Sequence, residues 1–173
     1  MDKRLTAIAN CVALTLLETP NDLSIPDSLT PYSEPMAVAD IGTDHGKLAV
    51  YLAKTYGCTV YAGDIAEGPL GACKSLVEKS SVTDKVIPVL CNGLEKIPDQ
   101  VSTIVIAGLG GETIAEIIDN SPFCLSGKTL VLSPHSHEDR LLGYLSDNNF
   151  ATLQRETVLS KKKNYIVLMV KQP

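Results

Sequence analysis

The chain reads as an α/β fold: a mostly parallel, seven-stranded sheet with helices on both faces and an antiparallel C-terminal strand. Three observations predict it. From residue 36 onward, strand-like and helix-like segments alternate, the order that builds parallel sheets through crossover helices. Several strand segments are unbroken apolar runs, such as Thr103-Ile104-Val105-Ile106-Ala107, as expected of strands covered on both faces. The last two strand-like runs, 151–159 and 164–170, are separated by Ser160-Lys161-Lys162-Lys163. So short a polar connector makes a hairpin, and one of its strands must run antiparallel.

Taken in order, residues 4–17 carry Leu5, Ile8, Ala9, Val12 and Leu16 at helical spacing and predict a helix. Residues 19–35 hold Pro20, Pro26, Pro31 and Pro35 among Ser, Thr and Asp; proline removes donors and blocks regular elements, so a surface loop is expected. Strands follow at 36–41, 58–64, 86–90, 103–107 and 128–132, and helices at 45–56, 67–79, 111–119 and 136–148. The organisation is one domain overall: an N-terminal helix and Pro-rich loop over 1–35, then the sheet unit over 36–173. There is no internal repeat.

The chain has 173 residues, 45% of them apolar, enough for a sizeable core. No run reaches the ~18 apolar residues of a membrane span. The opening Met1-Asp2-Lys3-Arg4 lacks a long apolar stretch and a small-residue cleavage site, so a cytoplasmic protein is expected. The five cysteines include no C-x-x-C pair, which predicts buried free thiols and no metal site. The net charge of −5 argues against a protein coated in positive charge, although a local basic patch suffices for nucleic acid. Lys3-Arg4 and Lys161-Lys162-Lys163 are the candidates, the second reading first as a solvated turn.

The chemistry concentrates where strands end. The run Met36-Ala37-Val38-Ala39-Asp40-Ile41 meets the loop Gly42-Thr43-Asp44-His45-Gly46, and a helical pattern follows. A strand–loop–helix unit of this kind holds nucleotide-like cofactors. The G-x-G-x-x-G fingerprint is absent: Asp44 stands where its second glycine belongs. An acidic group there repels a pyrophosphate and suits a ligand with no phosphate and a positive centre, such as S-adenosylmethionine. Asp64 closes the next strand; an acid about 20 residues past the glycine loop commonly accepts ribose hydroxyls, or caps the helix that starts near Glu67. Asn92-Gly93 could meet an adenine edge or form a turn. Ala107-Gly108-Leu109-Gly110-Gly111 offers bare backbone to a substrate or cofactor, without the lysine of a phosphate-binding P-loop. In Ser133-Pro134-His135-Ser136-His137, His135 reads as a polar group at the site mouth and His137 as an exposed first-turn residue; both also read as plain surface histidines.

Together Ala39-Asp40-Ile41-Gly42-Thr43-Asp44-His45, Gly63-Asp64-Ile65 with Gly68-Pro69, Gly93-Leu94, Ile106-Ala107-Gly108-Leu109-Gly110-Gly111 and the opening Lys3-Arg4-Leu5 resemble the bacterial TrmK-type tRNA (adenine-N1)-methyltransferases. The resemblance implies a Rossmann-like class I methyltransferase fold, S-adenosylmethionine as cofactor and a tRNA adenine as acceptor; composition and ligand spacing predict no membrane and no metal. On that reading Asp40, Gly42, Gly46, Asp64, Ile65, Asn92, Gly93, Ala107 and Gly108 bind the cofactor, with Asp40 holding its amino group. Asp44 stabilises the cation that methylation creates on adenine, and His45 orients it or shares that role. Gly110, Gly111, His135, Lys3 and Arg4 face the substrate. The sequence departs from the family at Asn92, where the family has Asp, and at Ser133-Pro134-His135, where it has Gln-Pro-Asn. The family also carries a C-terminal helical extension implied in tRNA binding, whereas this sequence ends at Pro173 just past its last strand. Two other classes compete: a non-catalytic cofactor- or RNA-binding module, and a nicotinamide-dependent oxidoreductase.

Overall fold

The computed structural model describes residues 2–17 and 36–172; the Pro-rich loop expected at 19–35 lies outside the described residues. Helix α1 (Lys3–Leu17) precedes strand β1 (Ala37–Ile41), followed by α2 (Lys47–Tyr56), β2 (Thr59–Asp64), α3 (Glu67–Lys79) and β3 (Val86–Leu90). Then come β4 (Thr103–Ala107), α4 (Gly111–Asp119), β5 (Thr129–Ser133), α5 (Glu138–Asp147), β6 (Ala151–Ser160) and β7 (Lys163–Lys171). They form one seven-stranded sheet in the order β3-β2-β1-β4-β5-β7-β6. Strands β1 to β5 pair in parallel, and β7 runs antiparallel to both β5 and β6. The expected class is therefore the observed one.

Alternation along each strand divides the core in two. Val38, Val60, Val105 and Val131 face α1, α2 and α3, packing on residues such as Ile8, Val12, Leu52 and Val77. Ala39, Ile104, Ile106, Leu130 and Leu132 face α4 and α5, meeting Ile114, Ile118, Leu141 and Leu145. Four cysteines are buried, Cys124 is exposed and all are free. Burial pushes the Cys11 and Cys73 thiols up to about 11, which keeps them protonated and inert.

Two features of this frame position the site. The chain leaves β1 toward β2 on one side and returns to β4 on the other, so a crevice opens at the carboxyl ends of β1 and β4. Helix α1 packs across β4, β5, β6 and β7: Thr15 Oγ1 lies 2.8 Å from Thr103 Oγ1 at the start of β4, while Arg4 stands against Gly108 just past its end. The Asp2 carboxylate accepts the Leu5 N–H at 3.0 Å and caps the helix, which fixes the first turn at the crevice.

Candidate active site

The loop after β1 is tied down by backbone. The Gly42 and Thr43 N–H groups donate to the Gly63 carbonyl at 2.9 and 3.1 Å, and Gly46 N–H donates to Thr43 O at 3.0 Å. Gly42, Asp44 and Gly46 all take positive φ. Helix α2 therefore begins at Lys47 and not at residue 45, because the left-handed Gly46 caps it. That glycine is required by its neighbour: a Cβ would sit 2.5 Å from Cys73 Sγ of α3. Gly46 shapes the loop from behind.

Three carboxylates surround this loop. Asp40 is 3% exposed, and its Oδ2 accepts the Thr43 hydroxyl at 2.8 Å. Burial raises its carboxyl to about 6, the negative charge of Asp64 adds to the rise, and bonds from Thr43 and the Ala49 amide oppose it. It has no cation within ion-pair distance among the described residues, so it is a buried acid placed to take one. Asp64 accepts the Ala66 N–H at 2.9 Å through Oδ1 and the Asp44 N–H at 3.4 Å through Oδ2. It thus braces the start of α3 and the glycine loop together and, half-buried, lines both cavities that open beside the loop. Asp44 and His45 are both exposed, with His45 Nε2 3.5 Å from Asp44 Oδ1.

Two cavities open beside these groups and share Gly42, Asp64 and Leu109. The first, about 330 Å³, is lined by Ile41, Ile65, Cys91, Asn92, Gly93 and Ile117; it is an apolar slot with Asp64 at its edge. The second, about 380 Å³, holds Asp40, Thr43, Asp44, His45, Ala107 and Gly108, with Arg4 and Lys161 across from them. A flat aromatic base suits the first, ribose hydroxyls suit the shared Asp64, and a cationic amino group suits Asp40. The donor set fits an adenosine joined to an amino acid. It does not fit a pyrophosphate, since three carboxylates stand around the loop that would have to receive it.

The ends of β4 and β5 modify the expectations. Gly108, with φ 82, opens toward Arg4. Gly111 is buried, and a Cβ there would lie 2.1 Å from the His137 carbonyl. Its smallness serves the contact between α4 and α5, and it lines neither cavity. Gly110 and Ser136 form a bridge between those helix starts, which is why α5 begins at Glu138 and not at 136. His137, at φ 52, is the cap before the first turn. His135 is exposed and donates its N–H to Leu109 O at 2.7 Å, holding the loop that lines both cavities. Lys3 is exposed and lines neither cavity.

Sequence reasoning missed Leu109, the floor shared by both cavities, and Thr43, whose hydroxyl steadies Asp40. It named Lys161 only within a basic patch that reads first as a solvated turn, whereas Lys161 lines the second cavity from the far hairpin. The polar residue three past a strand-end acid was the readable signal for Thr43; the other two needed the topology. Ser133 adds one more feature: its Oγ is the buried side-chain oxygen without a hydrogen-bond partner among the described residues.

The methyltransferase-domain family matches residues 28–168. The tRNA (adenine(22)-N(1))-methyltransferase of Bacillus subtilis (strain 168) is 33% identical over 135 residues, covering 76% of this chain and 57% of that protein. The chain thus spans a little over half the length of that relative. The crystal structure of the B. subtilis m1A22 tRNA methyltransferase TrmK superposes with TM-score 0.78 at 27% identity, over 100% of this chain and 67% of the other. The Streptococcus pneumoniae protein Sp1610, solved in complex with S-adenosyl-L-methionine, superposes with TM-score 0.80 at 30% identity, over 98% and 72%.

Proposed function

This chain belongs to the methyltransferase-domain family, and from that premise we propose that it transfers a methyl group from S-adenosylmethionine to N1 of an adenine in tRNA. The observation that carries the reading is Asp40: a buried carboxylate, raised to about 6 by its burial, that faces a cavity and meets no protein cation. A nicotinamide dinucleotide offers no amino cation for it and brings a pyrophosphate to a ring of acids. The similarity to TrmK and to a protein solved with S-adenosyl-L-methionine supports the same reading.

The cofactor supplies an electrophilic methyl group on a sulfonium. What the protein contributes is position and charge, and well-oriented intramolecular reactions reach effective molarities of about 10⁵–10⁸ M. Asp40 would hold the amino group and Asp64 the ribose hydroxyls. Ile65, Asn92 and Gly93 would enclose the adenine, with the Asn92 amide able to donate as well as accept. Ala107 and Gly108 leave backbone room beside the reacting methyl. Adenine N1 attacks with a free lone pair, so no base is required at that atom. The ring becomes cationic, and the Asp44 carboxylate at the cavity mouth stabilises that charge and accepts from the exocyclic amine. His45, 3.5 Å away, orients Asp44. Arg4, Gly110 and His135 are the substrate-side residues of this reading, while Lys3 and Gly111 line neither cavity and Gly111 acts through the fold.

Radiolabelled methyl transfer to bulk tRNA, with calorimetric binding of S-adenosylhomocysteine alongside, tests it. Asp44→Ala is expected to lower kcat about 100-fold and to change cofactor affinity less than threefold. Wild-type binding without any transfer would identify a non-catalytic module instead.

A further inference from the structure

The hairpin between β6 and β7 is built in an unusual way. Leu132 pairs with Leu168, a register that sets Val167 level with Ser133 at the end of β5, so Lys163–Ile166 run on past that end, roughly 13 Å at about 3.3 Å per residue. The overhang brings the turn over the opening, where Lys161 lines the second cavity beside Asp40 and Gly108. Both central turn residues, Lys161 at φ 49 and Lys162 at φ 67, are left-handed. A two-residue turn of that type prefers Asn-Gly; two lysines hold it against their conformational preference.

Below the turn sits a cationic cluster on one ring. The Arg4 guanidinium lies 4.9 Å from the Tyr165 ring centre and Lys163 Nζ 5.2 Å from it. The His135 ring packs on Tyr165 at 5.8 Å, and Lys163 also donates to the His135 carbonyl. Arg4 stands in the first turn of α1, where no acidic residue accompanies it and a cation opposes the helix dipole. None of Arg4, Lys161 and Lys163 forms an ion pair among the described residues. Asp2, which lines the same cavity as Arg4 and Lys161, has its carboxylate engaged by the Leu5 amide. A solvated lysine turn needs neither an aromatic clamp nor the convergence of like charges from two distant segments. An anion with several oxygens, delivered at the mouth of the cavity, would offset the convergence of like charges and the cation at the helix start.

We propose that the β6–β7 hairpin is an RNA-docking element, in which Arg4, Lys161 and Lys163, held by Tyr165, grip the phosphodiester backbone flanking the target nucleotide. RNA is the occupant because the cations border the cavity assigned above to methyl transfer, and docking here rests on that reading. Tyr165 is a positioning residue: it keeps two cations at fixed places on one ring.

Binding of bulk tRNA to the full 173-residue chain, measured by fluorescence anisotropy across a salt series, tests it. The double variant Lys161→Ala, Lys163→Ala is expected to bind about tenfold more weakly. Its slope of log K against log salt becomes shallower by about 1.4–1.8, at roughly 0.7–0.9 for each phosphate no longer neutralised. S-adenosylhomocysteine affinity stays within twofold. Tyr165→Leu keeps every charge and loses affinity, while Tyr165→Phe, which keeps the ring, restores it. The exposed pair Lys74→Ala, Lys79→Ala on α3 removes the same charge and leaves the slope unchanged. An unaltered slope in the hairpin variant, an equal loss in the α3 control, or wild-type chain that binds no RNA overturns the docking. If the slope responds as expected but no tRNA is methylated, the transfer reading fails and the docking stands. If tRNA is methylated with unchanged kcat/KM by the hairpin variant, the docking fails and the transfer reading stands.

Discussion

The two rims of one opening differ in charge, apart from Asp2 on the α1 side and Lys47 at the start of α2. The rim formed by β1, β2 and the glycine loop presents Asp40, Asp44 and Asp64. The rim formed by α1 and the β6–β7 hairpin presents Arg4, Lys161 and Lys163. Asp40, Asp44, Arg4 and Lys161 line the same cavity, yet no ion pair crosses it among the described residues. The described pairs between acids and lysine or arginine lie elsewhere, at Lys128–Asp99, Arg140–Glu112 and Arg155–Glu138. Opposite charges that face each other without meeting are held apart by backbone and ring: the loop by Gly63 O, the cations by Tyr165. The difference teaches that each rim is matched to a ligand of opposite sign, a cation on the β1 side and an anion on the hairpin side.

The comparison breaks most decisively at Asp40. Replacing a buried charge's only counter-group removes about 3 kcal/mol or more. Asp40→Asn is therefore expected to weaken S-adenosylhomocysteine binding by about 100-fold. The same change stabilises the ligand-free protein. Its folded pKa, about 6, lies above the ordinary 3.8, so the contribution of Asp40 to stability is full below pH 3.8 and is lost as pH rises through about 6. At pH 7.5 the variant escapes that loss and gains about 3 kcal/mol, read as a higher urea midpoint. Binding within threefold of wild type would remove Asp40 from the site.

A smaller effect follows from the same group. A ligand amino cation favours the ionised carboxylate, so binding releases the proton that Asp40 carries below about pH 6. S-adenosylhomocysteine affinity is expected to fall about tenfold between pH 8 and pH 5, by the linkage of one proton to a group near 6. Asp40→Asn should abolish that dependence, and calorimetry in buffers of different ionisation enthalpy counts the proton directly. RNA binding at the hairpin rim, made by permanent cations, should not follow the same curve; if it does, the two rims are not separate.

How much of this was legible in the sequence depends on the range of the interactions. Strands 86–90 and 103–107 were read at their observed limits because each is a short apolar run between polar loops. The hairpin was legible because Ser160-Lys161-Lys162-Lys163 is a short polar connector, which the structure narrows to a turn of Lys161 and Lys162. Helix starts were misplaced by two residues at α2 and α5, where the left-handed Gly46 and His137 delay the first turn. The acidic rim was readable because Asp40, Gly42 and Asp64 sit at local strand ends. Of the basic rim, Lys3-Arg4 and Lys161-Lys162-Lys163 were read as separate candidate patches, and their meeting was not readable, since only the insertion of β7 between β5 and β6 carries Lys163 and Tyr165 to Arg4. Gly111 was read as ligand clearance, although the carbonyl it clears belongs to the cap of α5, a contact between segments far apart in the chain.

Ser133 sharpens the boundary between the rims with the smallest effect. Its buried hydroxyl has no partner among the described residues, and it ends β5 opposite Ala107, between the cofactor side and His135. An unpaired buried hydroxyl is destabilising by about 1 kcal/mol or more. Ser133→Ala is therefore expected to raise Tm by about 2–4 °C for a chain of this size, with methyl transfer unchanged within twofold. That outcome makes Ser133 a packing position and confines the anionic ligand to the hairpin. A Tm gain accompanied by a rise in KM for tRNA at constant kcat would instead show that the hydroxyl faces the acceptor, and the two rims would then meet at the end of β5.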